Sequence, residues 1–200
     1  VRFSSLGDIT QALAAALALK QEYPEAELHW AVRSDFASYL QQFPIIDRIW
    51  SLERKEGFFG LIKMAIRFNN EKYLVYDAHS NVRSHLLCGM LRLLNPLRTT
   101  LRRPKDRFKR FLLFRFRKNY FPNPYRGALS FVAPLESFFG KPLGIPKPVM
   151  HTSSMEPAIL FAPSAAWEMK RWPVPYWRKL IELMKDEKII LLGGQEDHFL

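Results

Sequence analysis

Two stretches of the sequence hold side chains spaced for chemistry. The first, Arg2-Phe3-Ser4-Ser5-Leu6-Gly7-Asp8-Ile9, runs from the end of a strand through a turn of small residues to an acidic group at the mouth of a helix. Such a turn offers backbone N–H groups and one carboxylate to whatever binds at the edge of a parallel sheet. Ser5-x-x-Asp8 also fits a capping box, which only satisfies orphan N–H groups at a helix start. As a general base, Asp8 would take a proton from an acceptor hydroxyl, and a helix N-terminus keeps a carboxylate ionised for that task. The two roles are compatible. The second stretch is Pro163-Ser164-Ala165-Ala166-Trp167-Glu168-Met169-Lys170-Arg171-Trp172-Pro173. Here Lys170 is either a solvated cation ahead of a helix, with Trp172 and Trp177 packed inward and Pro175 in the first turn, or a loop cation that holds a diphosphate as charge builds on a leaving group.

Weaker candidates surround these two. Gly193-Gly194-Gln195-Glu196-Asp197 follows a strand, and an acid past a glycine turn is where α/β nucleotide sites often grip a ribose diol; a plain turn is the commoner explanation. Asp77-Ala78-His79-Ser80-Asn81-Val82-Arg83-Ser84 ends a strand and opens a helix, reading as a cap with a surface arginine, or with His79 as a hydrogen-bond partner for a bound sugar. Arg54 and Lys55 form a small basic spot. His29, His79, His85, His151 and His198 show no ligand spacing with Cys88 or with carboxylates, and no Asp-x-Asp motif occurs, so neither a metal nor another cofactor is implied. Serine-elbow and P-loop patterns are also missing.

The bulk composition sets the frame. Two hundred residues, 48% hydrophobic and 24% charged, can bury a real core and are not a disordered tract. The single cysteine, Cys88, rules out an internal disulfide framework and fits a reducing compartment. It lies in an apolar helical stretch and reads as a buried structural thiol. No apolar run approaches the ~20 residues that span a bilayer. The net charge is +11, and the segment from Arg98 to Lys118 holds ten basic residues against Asp106 alone, so most of the charge is local. Within it, Phe108, Phe111, Phe114 and Phe116 interleave with the cations. Three readings stand for this segment: a solvated helix, a nucleic-acid surface, or a helix lying on an anionic membrane. Phenylalanines in place of tyrosines, and no RNA-binding signature, favour lipid.

The elements that must position these residues follow from periodicity. Ile9, Leu13 and Leu17, with Ala12 and Ala16, give a helix from Asp8 to about Glu22. Strands are expected over 28–32, 45–52, 73–78, 158–162 and 188–192, and helices over 36–42, 58–68, 81–94, 104–121, 129–139 and 175–185. Such alternation means parallel sheets covered on both faces. Residues 141–157 carry four prolines and read as a linker. The expected organisation is one α/β domain over 1–140, the linker over 141–157, and the start of a second domain over 158–200. Only Val1-Arg2-Phe3 stands where a whole first strand is expected, so the chain reads as a piece of a longer protein.

In order along nearly the whole chain, the sequence resembles the lipopolysaccharide heptosyltransferases of glycosyltransferase family 9. Ser4-Ser5-Leu6-Gly7-Asp8 matches the family's first-strand motif, and Pro163 to Pro173 looks like its Lys-Arg-Trp-Pro loop. That loop usually holds Gly and then a Ser or Thr hydroxyl, where Ser164 and Ala166 stand here, and His79 stands where Gln is usual. The resemblance implies a GT-B type α/β fold of two Rossmann-like domains, the second incomplete, with the active site between them. It implies an inverting transferase that moves heptose from ADP-heptose to the Kdo or heptose of the inner core, with no metal or other cofactor. Asp8 would be the base. Lys170, Ser164 and Asp197, with Glu196 in reserve, would hold the donor. Ser5, Gly7, His79, Arg83, Arg54, Lys55, Arg102 and Arg103 would meet the acceptor. The implied partners are a sugar nucleotide, an acidic lipid A–Kdo acceptor and an anionic membrane surface, with no nucleic acid, on the cytoplasmic face of the inner membrane. Residues 1–200 alone are expected to turn over poorly. A GT-B transferase with a different donor, or a non-catalytic membrane- or nucleic-acid-binding protein, are the alternatives.

Overall fold

The computed structural model describes residues 1–69, 74–147, 157–165, 167–194 and 197, and the chain divides into two compact units, 1–151 and 152–200. In the first, α1 (Leu6–Glu22) leads to β1 (His29–Arg33), a short α2 (Ala37–Leu40), β2 (Arg48–Leu52), α3 (Gly57–Asn69), β3 (Val75–Asp77), α4 (Val82–Leu94), β4 (Thr100–Arg102), α5 (Arg107–Phe116) and α6 (Leu129–Phe139). The second holds β5 (Ile159–Phe161), α7 (Val174–Leu183) and β6 (Ile189–Leu191).

β1 pairs in parallel with β2, β3 with β4, and β5 with β6. Residues 1–3 join the first two pairs. Arg2 N–H donates to Ala31 O and Arg33 N–H to Phe3 O on one side, while the Val1 amine donates to Tyr76 O and Ala78 N–H to Val1 O on the other. The result is a parallel sheet in the order β2, β1, residues 1–3, β3, β4. One face carries α1, α2 and α6 through Ile9, Leu13, Leu40, Phe131 and Leu135; the other carries α3 and α4 through Leu61, Met64, Leu87 and Leu91. Helices on both faces are what right-handed parallel crossovers produce. The apolar stripe of α1 is wholly buried, as its spacing requires. Cys88 is buried too, and burial pushes its thiol up to about 11, so it is inert at neutral pH.

Three local expectations are corrected. The strand over 45–52 begins only at Arg48; just before it the exposed Asp47 carboxylate accepts the Leu28 N–H at 2.6 Å and pairs with Lys20. β4 was not foreseen: Thr100-Leu101-Arg102 is too short and too charged to carry a period, and it exists because its backbone completes the edge of β3. The helix over 104–121 is confined to 107–116, closed by Arg117 in the left-handed region at φ 54°. Part of the 141–157 linker and Tyr73 lie outside the described residues.

A cavity of about 880 Å³ opens beside Val1, lined largely by apolar side chains such as Ala12, Ala16, Ala31, Phe68 and Leu135. Its walls give a sugar or a phosphate little to bond. The polar groups gather instead at the carboxyl ends of the strands, where open α/β sheets bind ligands.

Candidate functional site

Asp8 sits in the first turn of α1, just past the end of the central strand. The capping box does not form. Ser5 occupies the N-cap, but its hydroxyl donates to Asp8 Oδ2 at 3.0 Å and accepts no backbone N–H. The same Oδ2 is ion-paired with Arg2. Asp8 Oδ1 therefore has no partner among the described residues, and the carboxylate is 42% exposed. One oxygen is fixed by Ser5 and Arg2 while the other faces outward, a geometry suited to accepting a proton from a bound hydroxyl.

Arg2 is the residue that sequence reasoning missed. Its guanidinium is buried, donates to Ala78 O at 3.0 Å and lies 5.8 Å from the Phe131 ring centre. Burial lowers its pKa from the usual value, and Asp8 opposes that shift. A buried cation of this kind is tolerated only with a partner, so Arg2 and Asp8 hold each other in place. The available signal was a charged residue inside an expected strand.

His79 also takes a position that its neighbours dictate. Its Nδ1 accepts the Phe3 N–H at 3.1 Å, which leaves Nε2 as the donor of the neutral ring. Burial, then the charges of Arg2 and Lys105, push its pKa down to about 4. The ring is thus neutral at physiological pH and serves as a hydrogen-bond donor, not as an acid. Asp77, fully buried, organises the turn below it: Oδ1 accepts the N–H groups of His79 at 3.1 Å and Ser80 at 2.7 Å. Asp77 Oδ2 lies 3.2 Å from His85 Nδ1 and 3.7 Å from Arg102 Nε, and it completes no aligned hydrogen bond. Asn81 then caps α4 through the Ser84 N–H at 3.0 Å, as the cap reading of this segment has it.

Beside this turn lies a pocket of about 330 Å³ whose lining includes Ser80, His85, Arg102, Arg103, Lys105, Arg107 and one acid, Asp106. Nearly all its charge is positive. The charges of Arg2, Asp77 and Arg103 all act on Lys105, which ties the pocket to the Asp8 cluster. The basic segment of the sequence is therefore not one surface. Arg98 is buried, and Arg103 turns inward onto Ser130 Oγ at 2.8 Å and the Phe131 ring at 3.8 Å. With Arg103, the side chains of Arg102, Lys105 and Arg107 line the pocket, while Lys109, Arg110 and Arg115 lie on α5 and Arg117 and Lys118 follow it.

The other expected acceptor residues are scattered. Gly7 is exposed, and a methyl group added to it would meet nothing within 4 Å, so space lies open over the first turn of α1. Arg83 is exposed on α4. Arg54 and Lys55 belong to a single 3₁₀ turn between Glu53 and Glu56, and Arg54 reaches Asp35 at 3.6 Å, so that spot is partly neutralised.

In the second unit, Ser164 and Asp197 come together: the Ser164 hydroxyl donates to Asp197 Oδ1, and the Gly194 N–H donates to Oδ2 at 2.6 Å. The loops after β5 and β6 are thereby clasped through the two residues expected to hold the donor. Lys170 closes a 3₁₀ turn (Glu168–Lys170) and is exposed, with no partner for its ammonium among the described residues. Arg171 instead folds back onto Ala165 O at 2.8 Å. The tryptophans do not all pack inward. Trp177 lies on Phe161 at 5.3 Å between ring centres, but Trp172 stacks on Tyr176 and is 45% exposed, and Trp167 is 71% exposed. Ala166, Gln195, Glu196, His151 and His198 lie outside the described residues.

Residues 132–199 match the family described as glycosyltransferase family 9 (heptosyltransferase). Lipopolysaccharide heptosyltransferase 1 of Campylobacter coli is 34% identical over 56 residues, which are 28% of this chain and 16% of that protein. Among solved structures, a family 9 glycosyl transferase from Veillonella parvula superposes with a TM-score of 0.75 at 17% identity, over 98% of this chain and 62% of its own. The E. coli heptosyltransferase WaaC, solved with ADP, gives 0.66 at 21% identity over 96% of this chain and 66% of its own. E. coli ADP-heptose lps heptosyltransferase II gives 0.66 at 18%, over 99% and 64%. The chain thus spans less than two thirds of the length of these relatives, and the structural likeness establishes a GT-B type α/β fold with parallel sheets. Over residues 132–199, about a third of its length, the chain is similar to glycosyltransferase family 9 (heptosyltransferase).

Proposed function

We propose that this chain is part of an inverting glycosyltransferase of lipopolysaccharide assembly, which moves heptose from ADP-heptose to a Kdo or heptose hydroxyl of the inner core. The observation that carries the reading is the Asp8 carboxylate, clamped through Oδ2 by Ser5 and Arg2 with Oδ1 left open. In the proposed reaction Asp8 Oδ1 takes the proton of the acceptor hydroxyl. The hydroxyl oxygen forms the new bond to the anomeric carbon as the bond to ADP breaks on the opposite face, which inverts that centre. Lys170 offsets the charge that develops on the departing diphosphate, and the Ser164–Asp197 clasp shapes the loops around the nucleotide. The phosphate charge is assigned to Lys170 and helix N-termini, not to a metal or another cofactor.

On the acceptor side, neutral His79 donates through Nε2 and the open space over Gly7 admits the sugar, flanked by Ser5. Arg102 and Arg103 belong to a basic pocket whose charge suits the carboxylates and phosphates of an acidic lipid. Arg83, Arg54 and Lys55 lie farther along the same unit and make secondary contacts. The acceptor is presented at an anionic membrane surface, so the protein works as a peripheral protein on the cytoplasmic face. The match to family 9 favours this reading over a binding protein without activity; a different sugar-nucleotide donor is the nearest alternative.

The test is mass spectrometry of a Kdo-containing lipid A acceptor incubated with ADP-heptose and the protein that carries this chain. A gain of one heptose is expected. No gain from a folded protein, with gain from another sugar nucleotide, would overturn the donor assignment.

A further inference from the structure

We infer that α5 is a membrane-docking helix whose outer face enters the headgroup region of an anionic bilayer at the rim of the basic pocket. The inference rests on the reading of the acceptor as a membrane-anchored acidic lipid. None of the ten residues of α5 is buried, although the helix carries Phe108, Leu112, Leu113 and three further phenylalanines. Leu112 and Leu113 are half-buried. Phe108, Phe111 and Phe114, spaced three apart, step round only about 120° of the helix surface, and they are 71%, 54% and 82% exposed. Arg107, Arg110 and Arg115 interleave with them on that outer side. Arg117 and Lys118 follow directly, and the one nearby acid, Asp106, is taken by Lys109 at 3.4 Å.

An isolated helix of this composition has no reason to leave three phenylalanines in water. Phenylalanines interleaved with cations suit an anionic leaflet better than a protein core, because the leaflet takes up both components. Cations near such a surface are attracted by its anionic lipids, and apolar side chains gain by leaving water for the headgroup boundary. Placement adds a further argument. Arg107, the first residue of α5, also lines the pocket of Arg102, Arg103 and Lys105. A bilayer seated on the outer face of α5 therefore presents its headgroups to that pocket.

The experiment is flotation of the full chain with vesicles of phosphatidylcholine alone or with phosphatidylglycerol added, read without any transferase substrate. Binding is expected only to the anionic vesicles, weakening as salt rises. Phe108→Ser, Phe111→Ser and Phe114→Ser combined, and separately Arg110→Glu with Arg115→Glu, are each expected to weaken it at least tenfold while the melting temperature holds. In the longer protein that carries this chain, transfer to a lipid-free soluble acceptor should be unchanged in both variants, so loss of docking and failure of the transferase reading are told apart. Equal binding to neutral vesicles, undiminished binding by the phenylalanine variant, or retention of a single-stranded RNA in place of vesicles would overturn the inference.

Discussion

The first and second units share the alternation of strand and helix but bury it to different depths. In residues 1–151 helices cover both faces of the sheet, and side chains such as Phe131, Leu135, Leu87 and Leu91 are fully excluded from water. In residues 152–200 the two parallel strands leave Leu160 59% and Leu191 51% exposed, and among the described residues Phe161 and Pro163 are the buried apolar side chains. Within residues 152–200 the parallel pair β5 and β6 carries the single helix α7. The contrast bears on function. Asp8, Arg2 and His79 are held within the packed first unit, whereas Lys170 ends an exposed 3₁₀ turn in the second, near the Ser164–Asp197 clasp.

The largest effects should separate the two units by stability. Phe131→Ala is expected to cost the first unit about 3–5 kcal/mol, and Met169→Ala, at a side chain 98% exposed, no more than about 0.5 kcal/mol in the second, both read by urea unfolding. Equal losses would break the comparison. Next comes a pH effect confined to the first unit. With its pKa pushed to about 4, His79 is neutral in the folded protein where the unfolded chain protonates it near 6.5. The unfolded state binds the extra proton between those values, so stability is complete above pH 6.5. It falls as pH drops toward 4, by about 3 kcal/mol at most. His79→Gln should flatten that slope while still accepting the Phe3 N–H; an unchanged slope would place the titration elsewhere.

How far the sequence carried the fold can be judged from particular elements. Long periodic helices such as α1 and α4 were legible because their apolar stripes must face a sheet. β4 was not, since its pairing depends on β3 and leaves no period of its own. Asp8 stood out by its spacing, but its partner did not. Arg2 reads as a strand residue until the fold brings Ala78 and Phe131 around it. The basic segment looked like one surface because sequence counts charge without burial; folding sends Arg98 and Arg103 inward and leaves α5 outside.

Two smaller effects sharpen the contrast. Arg2→Met should cost roughly 2 kcal/mol, by freeing Asp8 and leaving the Ala78 carbonyl without its side-chain donor, measured as a shift in thermal unfolding. Gly7→Ala should change stability by less than about 0.5 kcal/mol, since the added methyl meets open space, yet raise the KM for the acceptor. A KM that stays constant would remove Gly7 from the acceptor site.

The measurement closest to the central claim is turnover of Asp8→Asn in the protein that carries this chain, with its melting temperature taken alongside. Asparagine keeps an oxygen for Ser5 and Arg2 but cannot take a proton at neutral pH. The prediction is a folded protein whose kcat falls about 10²–10⁴-fold with the acceptor KM little changed. Near-wild-type turnover from the folded variant would contradict the assignment of Asp8 as the base.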